Sequence, residues 1–205
     1  MNPLYGLVLA GGQSSRMGRD KGLLVYRGQP HREYVYDVLC RQCEKVFISV
    51  NARQEQTGLD RYTYLVDNPA YETSPMGALL NAHEHYPDAS WFIVSCDLAY
   101  FDETCLETLL KHRDPTLAGT AFRINELNQP EPLVTIYENA FVGTLPGLYQ
   151  AGERSLRRAL HKAGAELITR FDPRCTRSVD SLEEYEEARR ILNVAGGGEG
   201  NRDAV

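Results

Sequence analysis

The sequence predicts an α/β sandwich with a mostly parallel sheet. Short apolar runs alternate with stretches of helical character along the 205 residues, the order expected of strand–helix–strand units. The run "SWFIVSC" (Ser90–Cys96) is apolar on both faces, as a strand covered on both sides of a sheet must be. A glycine-rich segment, "LAGGQSSRMGRDKG", begins at the end of the first apolar run, "YGLVL". In open α/β sheets ligands sit beyond the carboxyl ends of the strands, near a topological switch point.

In chain order, the apolar runs predict strands over Tyr5–Leu9, Val46–Val50, Thr63–Val66, Ser90–Ser95, Thr116–Phe122, Leu133–Tyr137 and Glu166–Phe171. Between and after them the pattern predicts helices over Glu33–Gln42, Met76–Glu84, Glu103–Lys111, Ser155–Ala163 and Leu182–Leu192. The last helix carries its own start signal: Ser181 precedes it and Glu184 follows three residues later, a capping box. The closing stretch "GGGEGNRDAV" has no apolar pattern and reads as disordered. No repeat or linker divides the chain, so a single domain over residues 1–194 with a tail over 195–205 is expected.

A net charge of −6 argues against a general nucleic-acid binder, so a local basic cluster suits a small anionic ligand. No apolar run approaches the ~18 residues of a membrane helix, and the N-terminus does not read as a signal peptide. The five cysteines are scattered and odd in number. They point to a reducing, cytoplasmic setting and not to a disulfide framework. Cys40 and Cys43 form a CxxC, but they fall in a helical stretch and lack the second pair that a zinc site needs, so packing is the expected role. The five histidines do not cluster, and none is assigned a role.

The glycines of "LAGGQSSRMGRDKG" let backbone N–H groups close on phosphate oxygens, and Arg16 and Lys21 supply full charges for a triphosphate. The segment is neither a Walker A loop nor a GxGxxG fingerprint. It closely resembles the nucleotidyltransferase signature LAGG-x-S-x-RMG-x-DK, and the chain is most similar to the molybdenum cofactor guanylyltransferases. The resemblance implies a three-layer, Rossmann-like nucleotidyltransferase fold. It implies transfer of GMP from GTP to the phosphate of molybdopterin with release of pyrophosphate. Leu9, Ala10, Gly11, Gly12 and Lys21 would then meet the nucleotide. The second glycine, Gly12, leans toward guanine, since the related cytidylyltransferases tend to carry LAAG.

Two further strand ends match that pattern. "YLVDNPAYETSPMGALLNA" puts Asp67 where the family has an aspartate that holds the nucleoside. Carboxylates suit the N1–H and exocyclic amine of guanine, or ribose hydroxyls; the alternative is a turn-forming Asp-Asn-Pro. Ser74 stands where glycine is usual, and Gly77-Ala78 inverts the usual order. "FIVSCDLAYF" resembles the family's PCDMPF, which implies that Asp97 binds Mg²⁺. Mg²⁺ prefers few protein carboxylates with waters and substrate phosphates. Asn51, after "ISV", resembles a family asparagine near the nucleotide and equally suits a turn.

Toward the acceptor, "EPLVTIY" resembles QPLFALY, with Glu131 in place of glutamine. Arg154 and Ser155 resemble a G-x-R-S segment that would meet the acceptor phosphate at a helix start, or they form an ordinary cap with a solvated arginine. The family's N-x-N-T-P-E-D-L is represented by "SVDSLEEY", where Ser178 and Asp180 replace both asparagines. An ionised aspartate only accepts hydrogen bonds, so the added carboxylate suits a metal or a cationic group and repels a phosphate.

The expectation is therefore a Mg²⁺-dependent nucleotidyltransferase with Arg16, Lys21 and Asp97 as catalytic groups and Asp97 as the metal ligand. GTP and molybdopterin are the expected substrates, with no nucleic-acid or membrane partner. The rivals are a nucleotidyltransferase that uses CTP or another phosphorylated acceptor, and a nucleotide-binding partner protein without catalysis.

Overall fold

The computed structural model of the chain describes residues 2–11, 21–52 and 61–196. The strands are β1 (Leu4–Leu9), β2 (Lys45–Val50), β3 (Tyr64–Val66), β4 (Ser90–Ser95), β5 (Gly119–Arg123), β6 (Pro130–Tyr137) and β7 (Glu166–Ile168). They form one sheet in the order β3-β2-β1-β4-β6-β5-β7. The helices are α1 (His31–Leu39), α2 (Pro75–His85), α3 (Glu103–Lys111), α4 (Asn139–Val142), α5 (Leu145–Gln150), α6 (Leu156–Ala163) and α7 (Leu182–Gly196). Arg16 and Gly12, both predicted site residues, lie outside the described residues, as does the tail predicted over 195–205 apart from residues 195–196, which continue α7 past its expected end at Leu192.

Strand alternation sorts the core into two apolar layers. Leu4 and Val8 of β1, Val46 and Ile48 of β2 and Phe92 and Val94 of β4 pack with α1 and α3 on one face. Leu7, Phe47, Trp91 and Ile93 point the other way and pack with α2, α4, α5 and α6. The middle strands are buried on both sides, which is why β4 reads as one continuous apolar run. A third, smaller cluster joins Tyr26, Ala99, Tyr100 and Val179 to Ala188 and Leu192 of α7. The three-layer expectation holds.

The sheet is mixed where the chain forms a hairpin. β1 pairs parallel with β2 and β4, β2 with β3, and β5 with β7. β6 runs antiparallel to both β4 and β5. The connection between β5 and β6 is short and turns on Asn125, whose Oδ1 accepts from Leu127 N at 3.0 Å and Gln129 N at 3.3 Å. Asn128 takes the left-handed conformation (φ 53°) that asparagine tolerates.

Element boundaries differ from expectation for local reasons. The fifth strand begins at Gly119, not Thr116, because Asp114 Oδ1 accepts from Thr116 N at 2.9 Å and turns the chain. The seventh stops at Ile168, where pairing with β5 ends. Phe171 instead stacks on Phe122, with centroids 4.3 Å apart. The capping box is present: Ser181 N donates to Glu184 Oε2 at 3.0 Å and Glu184 N to Ser181 Oγ at 3.2 Å.

The reading of the cysteines needs one correction. Cys105 on α3 and Cys175, in the turn after β7, form a disulfide across 70 positions. Both are buried in the layer beneath α1 and α3. Odd number and scattered spacing carry no information about such a distant pair, which the fold alone brings together. The CxxC lies past α1, which ends at Leu39 and not Gln42: Cys40 is its exposed C-cap and only Cys43 packs in the core, where burial pushes its thiol up to about 12. Among the described residues no helix is long and apolar enough to cross a membrane.

Closing a loop of 70 residues removes denatured-state entropy worth about 2–4 kcal/mol in typical cases. Reduction by dithiothreitol, or Cys175→Ala, is expected to lower unfolding free energy by about that amount. Superimposable urea unfolding curves for oxidised and reduced protein would show that the bond contributes nothing.

Candidate active site

Four strands deliver their carboxyl ends to one place. After β2 and β3 the chain returns to the other side of β1, so the order reverses at β1 and β4 and leaves a crevice there. Ala10 follows β1, Asn51 follows β2, Asp67 follows β3 and Asp97 lies two residues past β4. Main-chain bonds lock these ends together: Ala10 N donates to Ser49 O at 3.0 Å, Asp67 N to Val50 O at 2.8 Å and Cys96 N to Leu9 O at 3.1 Å.

Beyond these ends lies a cavity of about 250 Å³. Leu9, Ala10 and Gly11 line it from β1, Ser49 from β2, and Ser95 and Asp97 from β4. Asp67, Lys21 and the first turn of α2 complete the wall. Six of the predicted site residues therefore share one cavity: Leu9, Ala10, Gly11, Lys21, Asp67 and Asp97. Asn51 is not part of the wall. It donates from Nδ2 to Gly11 O at 3.1 Å and so holds the backbone just past β1.

Gly11 is required by its neighbour. A Cβ there would lie 2.5 Å from Asp67 Oδ2, well inside contact distance. The other oxygen, Oδ1, accepts from Ser49 Oγ at 2.6 Å. Burial raises the Asp67 carboxyl above its ordinary value, and the Ser49 hydroxyl works against that rise. An oriented, partly desolvated carboxylate of this kind can take donors from a base or a ribose.

The departures noted around α2 have structural explanations. Ser74 is its N-cap and accepts from Gly77 N at 3.1 Å, with Pro75 in the first turn. Gly77 allows the preceding loop to lie on the helix, since a Cβ would meet Glu72 O at 2.2 Å.

Asp97 Oδ1 is buried, with no hydrogen-bond partner among the described residues. A buried carboxylate oxygen without a donor is costly, and a divalent cation or its water would satisfy it. Its loop is held from two sides. His31, buried on α1, bonds through Nε2 to Leu98 O at 3.0 Å, and Val179 N donates to Asp97 O at 2.9 Å. Burial lowers His31 to about 4, so the ring is neutral at pH 7. Among the described residues no group of three or more histidine, cysteine, aspartate or glutamate side chains is arranged to hold a metal.

On the acceptor side, Ser155 caps α6, accepting from Arg158 N at 3.3 Å. Arg154 is engaged by Glu72 Oε1 at 3.2 Å and lies 3.7 Å over the Tyr149 ring. Ser155 is the ordinary cap of that alternative, whereas Arg154 is not a solvated arginine but is held by Glu72 and Tyr149. Ser49 escaped the sequence reading of the site, whereas Glu131 and Asp180 were noted only as departures from the family pattern and take their places from the fold. Ser49 carried a usable signal, a polar residue within an apolar strand. Glu131 is buried at the start of β6 and accepts from Leu133 N at 3.0 Å. Burial raises its carboxyl, as does the nearby charge of Asp97. Asp180, from beyond the last β-strand, pairs with Lys21.

Residues 6–167 match the MobA-like NTP transferase domain. The chain is 36% identical over 184 residues to a molybdenum cofactor biosynthesis bifunctional protein of Synechocystis, across 89% of this chain and 53% of that protein. It therefore spans about half the length of that relative. It is 29% identical over 166 residues to a molybdenum cofactor guanylyltransferase of Serratia proteamaculans, across 80% of this chain and 83% of the relative. The fold is similar to the crystal structure of molybdopterin-guanine dinucleotide biosynthesis protein A from Archaeoglobus fulgidus. The TM-score is 0.74 at 16% identity, over 93% of this chain and 99% of that one. With the carboxyl ends of four strands converging on one cavity, and with this match running from β1 into β7, the chain belongs to the MobA-like NTP transferase family.

Proposed function

We propose that this nucleotidyltransferase moves GMP from GTP to the phosphate of molybdopterin, yielding the guanine dinucleotide form of the cofactor and pyrophosphate. The observation that carries the reading is the convergence of Gly11, Lys21, Asp67 and Asp97 on one cavity. A carboxylate for the nucleoside, a cation for the phosphates and a carboxylate for a metal are the parts this chemistry needs. The relatives named for the molybdenum cofactor support the acceptor.

An acceptor phosphate oxygen attacks the α-phosphorus. The new P–O bond forms as the bond from the α-phosphorus to the oxygen bridging it to the β-phosphorus breaks, and pyrophosphate leaves with that electron pair. Asp67 receives the guanine donors. Lys21, with Arg16 and the loop amides, stabilises the charge that builds on the leaving group. Asp97 is the residue that would hold Mg²⁺, its buried Oδ1 fitting that role. When bound, the ion neutralises α- and β-phosphate oxygens. No protein nucleophile is needed, because positioning and charge carry the reaction.

Selectivity follows from Asp67. Two hydrogen bonds from guanine to a carboxylate should favour GTP over CTP by roughly a hundredfold. Calorimetry with both nucleotides checks this, and equal affinities would remove guanine from the reading.

Asp97→Asn keeps the shape and replaces the carboxylate by a poor Mg²⁺ ligand. Turnover should nearly vanish while the melting temperature holds. A wild-type rate across a magnesium titration would exclude Asp97 as the ligand.

Lys21→Ala should lower turnover roughly a hundredfold, the usual cost of losing one preorganised contact to developing charge. Lys45 is the control. Its ammonium lies 5.3 Å and 5.1 Å from the Tyr5 and Tyr86 ring centroids, at the start of β2. Pyrophosphate release assays on both alanine variants compare them directly, and equal rates would reduce the glycine-rich segment to a turn.

A further inference from the structure

Lys21 Nζ lies 2.5 Å from Asp180 Oδ1, a pair that joins the end of the glycine-rich segment to residues beyond β7. Asp180 falls outside the stretch that matches the family domain. Its backbone is firmly placed. The neighbouring Val179 N donates to Asp97 O at 2.9 Å, and Asp180 N donates to Glu184 Oε2 at 2.8 Å. Ser178 Oγ donates to Asp180 Oδ2 at 2.9 Å. The carboxylate is thus aimed by its surroundings at the one end of Lys21 that carries charge.

The side chains of the pair are 21% and 49% exposed. An ion pair so open to water is weak and easily exchanged. Triphosphate oxygens entering the cavity carry several charges and compete for the same ammonium. Once they hold it, the Asp180 carboxylate is left facing like charge, and water screens that repulsion only in part.

We propose that Asp180 is a positioning residue that exchanges Lys21 with the substrate. It holds the ammonium at the cavity wall while the site is empty, yields it to the triphosphate, and retakes it as pyrophosphate departs. This rests on the reading of Lys21 as the triphosphate cation. It also explains why an aspartate is tolerated where the family signature has asparagine: the carboxylate meets a cation, not a phosphate. A device of this kind trades some affinity for GTP against easier release of pyrophosphate.

The test is Asp180→Asn, which keeps the shape and the backbone bonds while removing the charge. Magnesium-free calorimetry should show GTP bound about twofold to fivefold tighter, the upper part of the range an exposed ion pair corresponds to, with GMP unchanged. In turnover, KM for GTP falls and pyrophosphate inhibits more strongly by a similar factor, while kcat does not rise. In a Lys21→Ala background the gain in GTP affinity should largely disappear. An undiminished gain there would make Asp180 a repelling charge only and overturn the exchange. Unchanged or weaker GTP binding by Asp180→Asn would overturn it as well, and a weakening that deepens with magnesium would assign Asp180 to the metal. If Lys21→Ala itself leaves GTP binding unchanged, the reading of Lys21 fails first and the exchange fails with it.

Discussion

Asp67 Oδ2 lies where a side chain on residue 11 would begin, 2.5 Å from the position of a Cβ. Ser49 Oγ holds the other oxygen at 2.6 Å, and Asn51 Nδ2 holds Gly11 O at 3.1 Å. Together these contacts tie the ends of β1, β2 and β3 into one rim. The bare Cα of Gly11 is what lets Asp67 come this close, since a Cβ there would make the carboxylate shift. The cost is a desolvated acid, visible in the raised Asp67 carboxyl, and the Ser49 hydroxyl offsets part of it. The wall of the cavity beside Asp67 follows from this approach.

The opposite wall is built on a reversal. Because β6 runs antiparallel to β4, its amino end lies beside the carboxyl end of β4, with Val134 opposite Val94. Leu133 therefore reaches the cavity, and Glu131 comes close enough to Asp97 to feel its charge. The chain then returns a third time, when Val179 bonds to the Asp97 carbonyl. The loop that carries Asp97 is thus held from residue 179 and from α1 as well as from the end of β4.

What sequence reasoning could see reflects these paths. Asp67, Asn51 and Asp97 were visible because each follows directly on an apolar run, and parallel strands put such residues at one rim. β4 was found residue for residue because burial on both faces makes it uniformly apolar. Ser49 was legible in principle, as a buried polar group must have a partner. Glu131 was noticed for its departure from the family strand, but its place beside Asp97 depends on strand direction, which short apolar runs do not encode. The Lys21–Asp180 pair and the Cys105–Cys175 bond join residues 159 and 70 positions apart, and neither leaves a local trace. The small helices α4 and α5, of 4 and 6 residues, are too short for periodicity to announce them.

The disulfide has a mechanical consequence. The loop it closes contains β5, β6, the three helices α4 to α6 and β7, so every element between α3 and the return to Asp97 is inside a covalent ring. Tension applied at the two ends of the chain passes from Cys105 to Cys175 through sulfur and bypasses the backbone between them. Those 70 positions hold roughly 240 Å of extended chain that pulling alone cannot draw out. The rim formed by Gly11, Asn51 and Asp67 has no such protection. Under load the molecule therefore divides unequally, with that rim as its extensible part and the ring, including Glu131, as a part whose length only reduction releases.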